Sequence, residues 1–408
     1  MKIVVTGMGV VSPLGNTIPA YWESLCAGRS GIRRIDRFDT EKYNCRIAGM
    51  AEDVAPACMD SKELRRHARC SIFGIEAARQ ALEQSGIDLN RENPLRCGVI
   101  CGSGIGGLEI IYEGCVKHGT EGPRRVSPLM VPTGISNAPA GLLGKVFNFM
   151  GPNQAIVTAC AAGSHAIGHA AELIRLGKAD VMLAGGAEAT VIPFGIGGFD
   201  AMKALSTKRN DTPEAASRPF DADRDGFVMG EGAGMLVLES EERARARGAE
   251  ILGEVVTSGE SCDAYHVAAP REDGSCVAAA MQAALDQGRV NRDEIGYVNA
   301  HGTSTKLNDA MESRALRIVF GAAMPPVSST KSMHGHLLGA AGAIEAIACL
   351  LALRHGVLPP NINYETPDPE CDVNVVANVA REAKVAAALS NSLGFGGHNV
   401  SLLLRRHG

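Results

Sequence analysis

Cys160 lies in the run TACAAG, residues 158–163. A strand-like segment, AIVTA, precedes it and an Ala/Gly-rich helical segment follows. That order predicts a sulfur at a helix N-terminus, where unpaired N–H groups and the helix dipole favour thiolate and lower the thiol pKa. Small neighbours leave room for a substrate. A buried structural cysteine is the plainer alternative, and it is the expected role of most of the twelve cysteines.

Three more segments carry polar side chains in unusual settings. NAHGTST, residues 299–305, puts His301 after a strand, with Gly and hydroxyl residues behind it. A loop at a carboxyl strand end is where α/β folds build sites; a core histidine in a hydroxyl-rich turn would read the same. SSTKSMHGHLLGAAG, residues 328–342, crowds Lys331, His334 and His336 into a stretch with little apolar cover, which a solvated basic turn also explains. NSLGFGGHN, residues 391–399, sets three glycines around Phe395 and predicts a strained turn with N–H groups aimed inward. A Cys, two His and a Gly-rich turn together fit a nucleophile, two hydrogen-bond donors and an oxyanion hole.

Two motifs are set aside. GSGIGG, residues 102–107, matches a dinucleotide fingerprint, but no acidic residue ends a following strand; Arg124 and Arg125 stand in that region. DADRDG, residues 221–226, begins like a calcium loop, yet position twelve is Gly232 and helices do not flank it, so a structural turn is expected.

The elements that must hold these residues alternate between strand and helix. Val/Ile-rich runs at 3–6, 98–101, 181–185, 235–239, 296–299 and 388–391 separate Ala-rich helical stretches. Ile167, Ala170, Ala171 and Ile174 share a face of a helix over 164–176, with Gly177 as its cap. A faint repeat pairs Cys160 with His336, each opening a Gly/Ala-rich helix 176 positions apart (336 − 160).

Composition narrows the classes. With 45% hydrophobic and 21% charged residues, the 408-residue chain can bury a large core. A net charge of −5 and 4% aromatics argue against nucleic-acid binding. Scattered cysteines without a C-x-x-C pair predict reduced thiols and no zinc site. The apolar stretch 337–353 contains Glu345 and two glycines and reads as a buried helix, so no membrane insertion and a cytoplasmic location are expected. The 48 glycines, about twice average usage, predict many close backbone approaches.

Taken together, TACAAG, NAHGTST, KSMHGHLLGAAG and NSLGFGGHN resemble the beta-ketoacyl-[acyl-carrier-protein] synthases, the condensing enzymes of fatty acid synthesis. VTGMGVVSPLG, AGGAEA and SRPFDADRDGFVMGEGAG extend the resemblance over essentially the whole chain, closest to the type II elongation class. It implies an α/β, thiolase-like fold of five layers, αβαβα, in two pseudo-symmetric halves, 1–250 and 251–408, within one integrated domain. It also implies a homodimer.

By the resemblance, Cys160 takes the acyl chain from an acyl carrier protein as a thioester. His301 and His336 polarise the malonyl thioester carbonyl, and the N–H groups of Cys160 and Phe395 form the oxyanion hole. Phe395 is also a gate between the half-reactions. Lys331 and Glu312 match a pair that orients the histidines. Thr303 and Thr305 match the pantetheine site, Ile105 the mouth of the acyl pocket, and Met130 a position on the dimer partner's side. Asn299, Glu345, Ser390 and Asn391 match a structural monovalent cation site; the chemistry itself needs no cofactor. Lys62, Arg65, Arg66 and Arg69, spaced for one helix face, with Arg124, Arg125 and Lys203, match the surface that docks the acidic carrier protein. His334 and His398 stand where many members have Thr and read as neutral variants.

The same motifs suit a polyketide ketosynthase. A non-catalytic chain-length-factor-like subunit would lack Cys160, and a degradative thiolase would carry a second Cys where this chain has Phe395. Nothing around Cys160 resembles a cysteine protease.

Overall fold

A strand that is apolar on both faces needs cover on both faces, and that requirement explains the layering. The computed structural model describes all residues 1–408. Its ten main strands are β1 (Ile3–Val11), β2 (Cys97–Gly102), β3 (Asn153–Ile156), β4 (Val181–Glu188), β5 (Gly232–Ser240), β6 (Gly253–Cys262), β7 (Ile295–Asn299), β8 (Val327–Ser328), β9 (Ala387–Gly394) and β10 (His398–Arg405). Six helices cover them: α1 (Arg69–Ser85), α2 (Ala138–Phe147), α3 (Ala162–Arg175), α4 (Ser275–Gly288), α5 (Lys306–Phe320) and α6 (Ala341–His355).

Hydrogen bonding runs in the order β8-β7-β9-β10-β6-β1-β5-β4-β2-β3. The first five strands and the last five therefore repeat one pattern. In each, the first strand pairs antiparallel with the fifth and the fifth with the fourth, and then two parallel pairs follow. A short antiparallel ladder between β1 and β6, Ile3–Val5 on Gly253–Val255, joins the halves.

Period-two alternation sorts the side chains into layers. On β4, Met182 and Ala184 enter a central apolar cluster, whereas Val181 and Leu183 enter an outer one with α1 and α2. On β10, Leu402 and Leu404 face the same central cluster, and Leu403 faces a second outer cluster with α4 and α5. Helices α3 and α6 fill the middle. The layers are thus helix, sheet, helix, sheet, helix.

α6 is apolar on all sides, as a central helix must be. It is buried from Ala341 to Leu353, Glu345 included, with only Arg354 and His355 exposed. α3 begins two residues before the expected 164 and ends with Gly177 in the left-handed region just past its cap. Small residues let α3 and α6 start side by side: a Cβ on Gly163 would lie 2.9 Å from the Gly339 carbonyl oxygen.

The repeat is real but its expected register is off by three. Ala159 and Leu338, both non-glycine residues with positive φ, open matching single turns before α3 and α6. Both offsets, 338 − 159 and 341 − 162, are 179. Cys160 is therefore equivalent to Gly339, and His336 lies three residues ahead of that position. The Gly/Ala bias of both segments hid the three-residue shift. Asp221 in the set-aside calcium-like run is a turn anchor, accepting from Arg218 and from the N–H groups of Asp223, Glu365 and Thr366.

Candidate active site

Cys160 occupies the turn Ala159–Ala161 at the entrance to α3. Ala159 is held at φ 50°, a left-handed conformation that costs a non-glycine residue on the order of 1–3 kcal/mol. Tight packing sustains it. The hairpin joining β9 and β10 presses on this turn so closely that a Cβ on Gly394 would sit 2.6 Å from the Thr158 carbonyl oxygen. The backbone N–H groups of Phe395 and of Cys160 itself favour the thiolate form of the Cys160 sulfur.

Burial decides the thiol's resting state. It pushes the Cys160 pKa up to about 12; the Lys331 charge and the two N–H groups pull it down, and the buried Glu188 carboxylate adds to the rise. The expected lowered pKa is thus overturned. Desolvation outweighs the Lys331 charge and the two N–H groups.

His301 follows β7 on a loop tied down by Glu312 of α5. The two oxygens of Glu312 accept from the His301 and Gly302 N–H groups at 2.9 and 2.8 Å, and Asn391 donates to the first at 3.2 Å. His336 is fixed by its backbone, which donates to the Val228 carbonyl at 2.7 Å and accepts from the Gly230 N–H at 2.8 Å. The two imidazoles meet edge to face, 5.2 Å between centroids, and Phe227 flanks His336. Burial first, and then the Lys331 charge, holds both well below the ordinary histidine range, so both are neutral.

Lys331 is fully buried rather than in a solvated turn. Its Nζ bonds Glu345 Oε1 at 2.5 Å. Lys331 and Glu312 both lie by the histidines without bonding each other: Glu312 anchors the His301 loop, and Glu345 neutralises the lysine. His334 is buried too; burial and Lys331 lower it to about 3, and its Nδ1 donates to the Gly335 carbonyl.

Cys160, His301, His336 and Phe395 line one cavity of ≈ 480 Å³, with Thr303 and Thr305 on its wall and their hydroxyls 3.0 Å apart. Lys203 and Lys306 stand at its rim. Phe395 is part-exposed and stacks on Phe199, a wall residue the sequence did not single out. Ile105 packs beside the apolar cluster that includes Cys160, outside the cavity lining. Met130 does not join that cluster; it packs on Gly114.

Lys62, Arg65, Arg66, Arg124, Arg125 and Lys203 are exposed. The single basic helix face is not formed. A four-residue helix, Ser61–Leu64, stops at Arg65, and Arg69 opens α1 bonded to Asp53 and Glu231 and lying over Phe73. The pull of buried Glu231, with Phe73 beneath the guanidinium, removes Arg69 from the surface set.

Three oxygens of the expected cation set are buried without a hydrogen-bond partner: Asn299 Oδ1, Glu345 Oε2 and Ser390 Oγ. The fourth residue, Asn391, has its amide engaged, donating to Glu312 and accepting from Ser401.

The chain as a whole has counterparts among known proteins. The profile of the beta-ketoacyl synthase N-terminal domain matches residues 1–244, and that of the C-terminal domain matches 252–365. The chain is 50% identical over 410 residues to 3-oxoacyl-[acyl-carrier-protein] synthase 2 of Vibrio cholerae, covering 99% of both. Among solved structures it is similar to the ishigamide ketosynthase/chain length factor, with TM-score 0.94 and 37% identity over 100% of this chain and 99% of that one. It is also similar to a type II polyketide ketosynthase in complex with its acyl-carrier protein, with TM-score 0.92 and 33% identity over 100% and 99%. With both profiles and a half-identical relative spanning its length, this chain belongs to the beta-ketoacyl synthase family.

Proposed function

We propose that the protein is the elongating 3-oxoacyl-[acyl-carrier-protein] synthase of fatty acid synthesis, a condensing acyltransferase. The observation that carries this reading is the single cavity shared by Cys160, two neutral imidazoles and the Phe395 turn.

In the first half-reaction the Cys160 sulfur attacks the thioester of an acyl carrier protein. The S–C bond to Cys160 forms, the bond to the carrier's pantetheine sulfur breaks, and the thiol proton passes by way of the neutral imidazoles to the departing pantetheine sulfur, which leaves both imidazoles neutral again. A malonyl carrier protein then enters past Thr303 and Thr305. Neutral His301 and His336 donate to its thioester carbonyl and stabilise the enolate that forms as the carboxylate leaves as carbon dioxide. The enolate carbon attacks the acyl-Cys160 carbonyl. The N–H groups of Cys160 and Phe395 hold the tetrahedral oxyanion. Its collapse releases 3-oxoacyl carrier protein and the Cys160 thiolate, which takes up a proton from solvent to return to the resting thiol. Phe395, part-exposed on a glycine-flanked turn, is suited to gate the two steps.

Burial, with the Lys331 charge behind it, holds the histidines neutral, and Glu312 positions His301. The three unpartnered oxygens of Asn299, Glu345 and Ser390 suit a hard monovalent cation; Asn391 has its amide committed elsewhere. Halves 1–250 and 251–408 act as one domain, because the cavity draws Cys160 from the first and both histidines from the second.

The carrier-protein partner is supported by the carrier complex of the similar polyketide ketosynthase and by the exposed Lys62, Arg65, Arg66, Arg124 and Arg125, with Lys203 at the cavity mouth. A homodimer is supported by the open outer edge of β3, flanked by exposed Met150 and Val157. A cytoplasmic enzyme fits the free cysteines. Identity favours fatty acid elongation over a polyketide role, at 50% against 37% and 33%. Incubation with acyl and malonyl carrier proteins tests the proposal: 3-oxoacyl carrier protein and carbon dioxide in equal amounts are expected, and absence of both would reject it.

A further inference from the structure

Glu188 ends β4 with no solvent exposure, and its carboxylate takes no part in the steps above. Each of its oxygens accepts two hydrogen bonds. Oε1 takes Ser103 Oγ at 3.1 Å and the Ile105 N–H at 3.3 Å; Oε2 takes the Gly104 N–H at 2.6 Å and the Gly339 N–H at 3.0 Å. Ser103 Oγ in turn accepts from the Gly106 N–H at 3.0 Å. No side chain fits between the joined segments: a Cβ on Gly104 or on Gly339 would come within 2.8 or 2.7 Å of Glu188 Oε2.

One carboxylate thus ties two loops together. The first, residues 103–107, carries Ile105. The second is the strained Leu338–Ala340 turn, the structural twin of the Cys160 turn. Leu338 belongs to the apolar cluster that contains Cys160, and Ile105 packs against that cluster.

We propose that Glu188 is a positioning residue that sets the acyl chain-length preference by fixing the Ile105 loop against the Leu338–Gly339 turn. This rests on the condensing-enzyme reading. The chemistry requires a carboxylate. Only a group that is an acceptor at both atoms can take four donors; an amide would turn an N–H₂ toward N–H groups. Freed from Glu188, the loop lets Ile105 move off the cluster, and longer acyl chains gain access.

The test is acylation of Cys160, followed by mass spectrometry, with carrier proteins bearing six-carbon and sixteen-carbon chains. It is run on the parent protein, Glu188→Gln, Ile105→Ala and the double variant. The expected result is a long-to-short rate ratio raised about fivefold in Glu188→Gln, close to the net worth of one hydrogen bond. In the Ile105→Ala background the same substitution should change the ratio by under about twofold, because the positioned residue is gone. An unchanged ratio in folded Glu188→Gln, or an equal change in both backgrounds, overturns the proposal. Should Glu188→Gln not fold, Ser103→Ala removes one of the four donors and should move the ratio in the same direction; no movement overturns it equally. A parent protein that never acylates Cys160 refutes the condensing reading itself, a result separate from a parent that acylates with an insensitive Glu188.

Discussion

Replacing Lys331 by Met isolates the energetics beneath the histidines. Lys331 and Glu345 are 1% and 0% exposed and their charged atoms are 2.5 Å apart. Removing one partner of such a pair costs about 3–5 kcal/mol, because the other charge stays buried without compensation. At roughly 2.1 cal/mol/K of unfolding entropy per residue, 408 residues give about 0.86 kcal/mol/K. The expected fall in Tm is then about 3–6 °C. Burial holds Glu345 up at about 7 even with Lys331 lowering it, so loss of the lysine raises it further. A carboxyl raised in the folded state binds a proton that the unfolded chain has released. Stability therefore falls as pH rises from the ordinary carboxylate range to the folded value. The deficit against the parent should be larger at pH 8.5 than at pH 6, and Lys331→Met/Glu345→Gln should recover about 2 kcal/mol of it. Thermal and urea unfolding followed by circular dichroism reads all three effects. A single variant within about 1 kcal/mol of the parent, or a double variant no more stable than the single, would refute the reasoning.

Cys160→Gln should abolish condensation while malonyl carrier protein is still decarboxylated; loss of decarboxylation in a folded variant would overturn the roles of His301 and His336. Alkylation of Cys160, mapped by mass spectrometry apart from the exposed Cys58, Cys115 and Cys262, should rise about tenfold per pH unit between pH 7 and 10. The thiol is held at about 12, so its thiolate fraction keeps growing through that range; a plateau below pH 9 contradicts the burial argument. Reversing charge at exposed Arg124 and Arg125 should raise KM for carrier-bound substrate more than for acyl-CoA, since only the carrier offers an acidic surface. Equal effects would remove these residues from the docking surface.

Motifs with fixed local chemistry were legible in the sequence. Cys160, His301, His336, Phe395, Thr303 and Thr305 fall within four short segments, and the fold brings them to one cavity. The buried helix over 337–353 was legible because it is apolar on every side. What the sequence hid depends on long-range burial. Glu345 looked like a cation ligand, and its bond to Lys331 needs α6 packed beneath the 328–336 loop. The Cys160 pKa follows from desolvation, which no local pattern reports. Glu188 sat inside the recognised AGGAEA run and was passed over, because its four donors come from segments 85 and 151 residues away. Arg69 fitted a basic stripe by spacing; the chain breaks its helix at Arg65 and ties the half-buried Arg69 to buried Glu231.

The central claim is that the acyl chain rides on Cys160 between two half-reactions. Incubation with acyl carrier protein alone, followed by proteolysis and mass spectrometry, tests it most directly. The account predicts one acyl group per chain, on the peptide bearing Cys160, discharged when malonyl carrier protein is added. An adduct on another residue, or condensation with no adduct on Cys160, would contradict it.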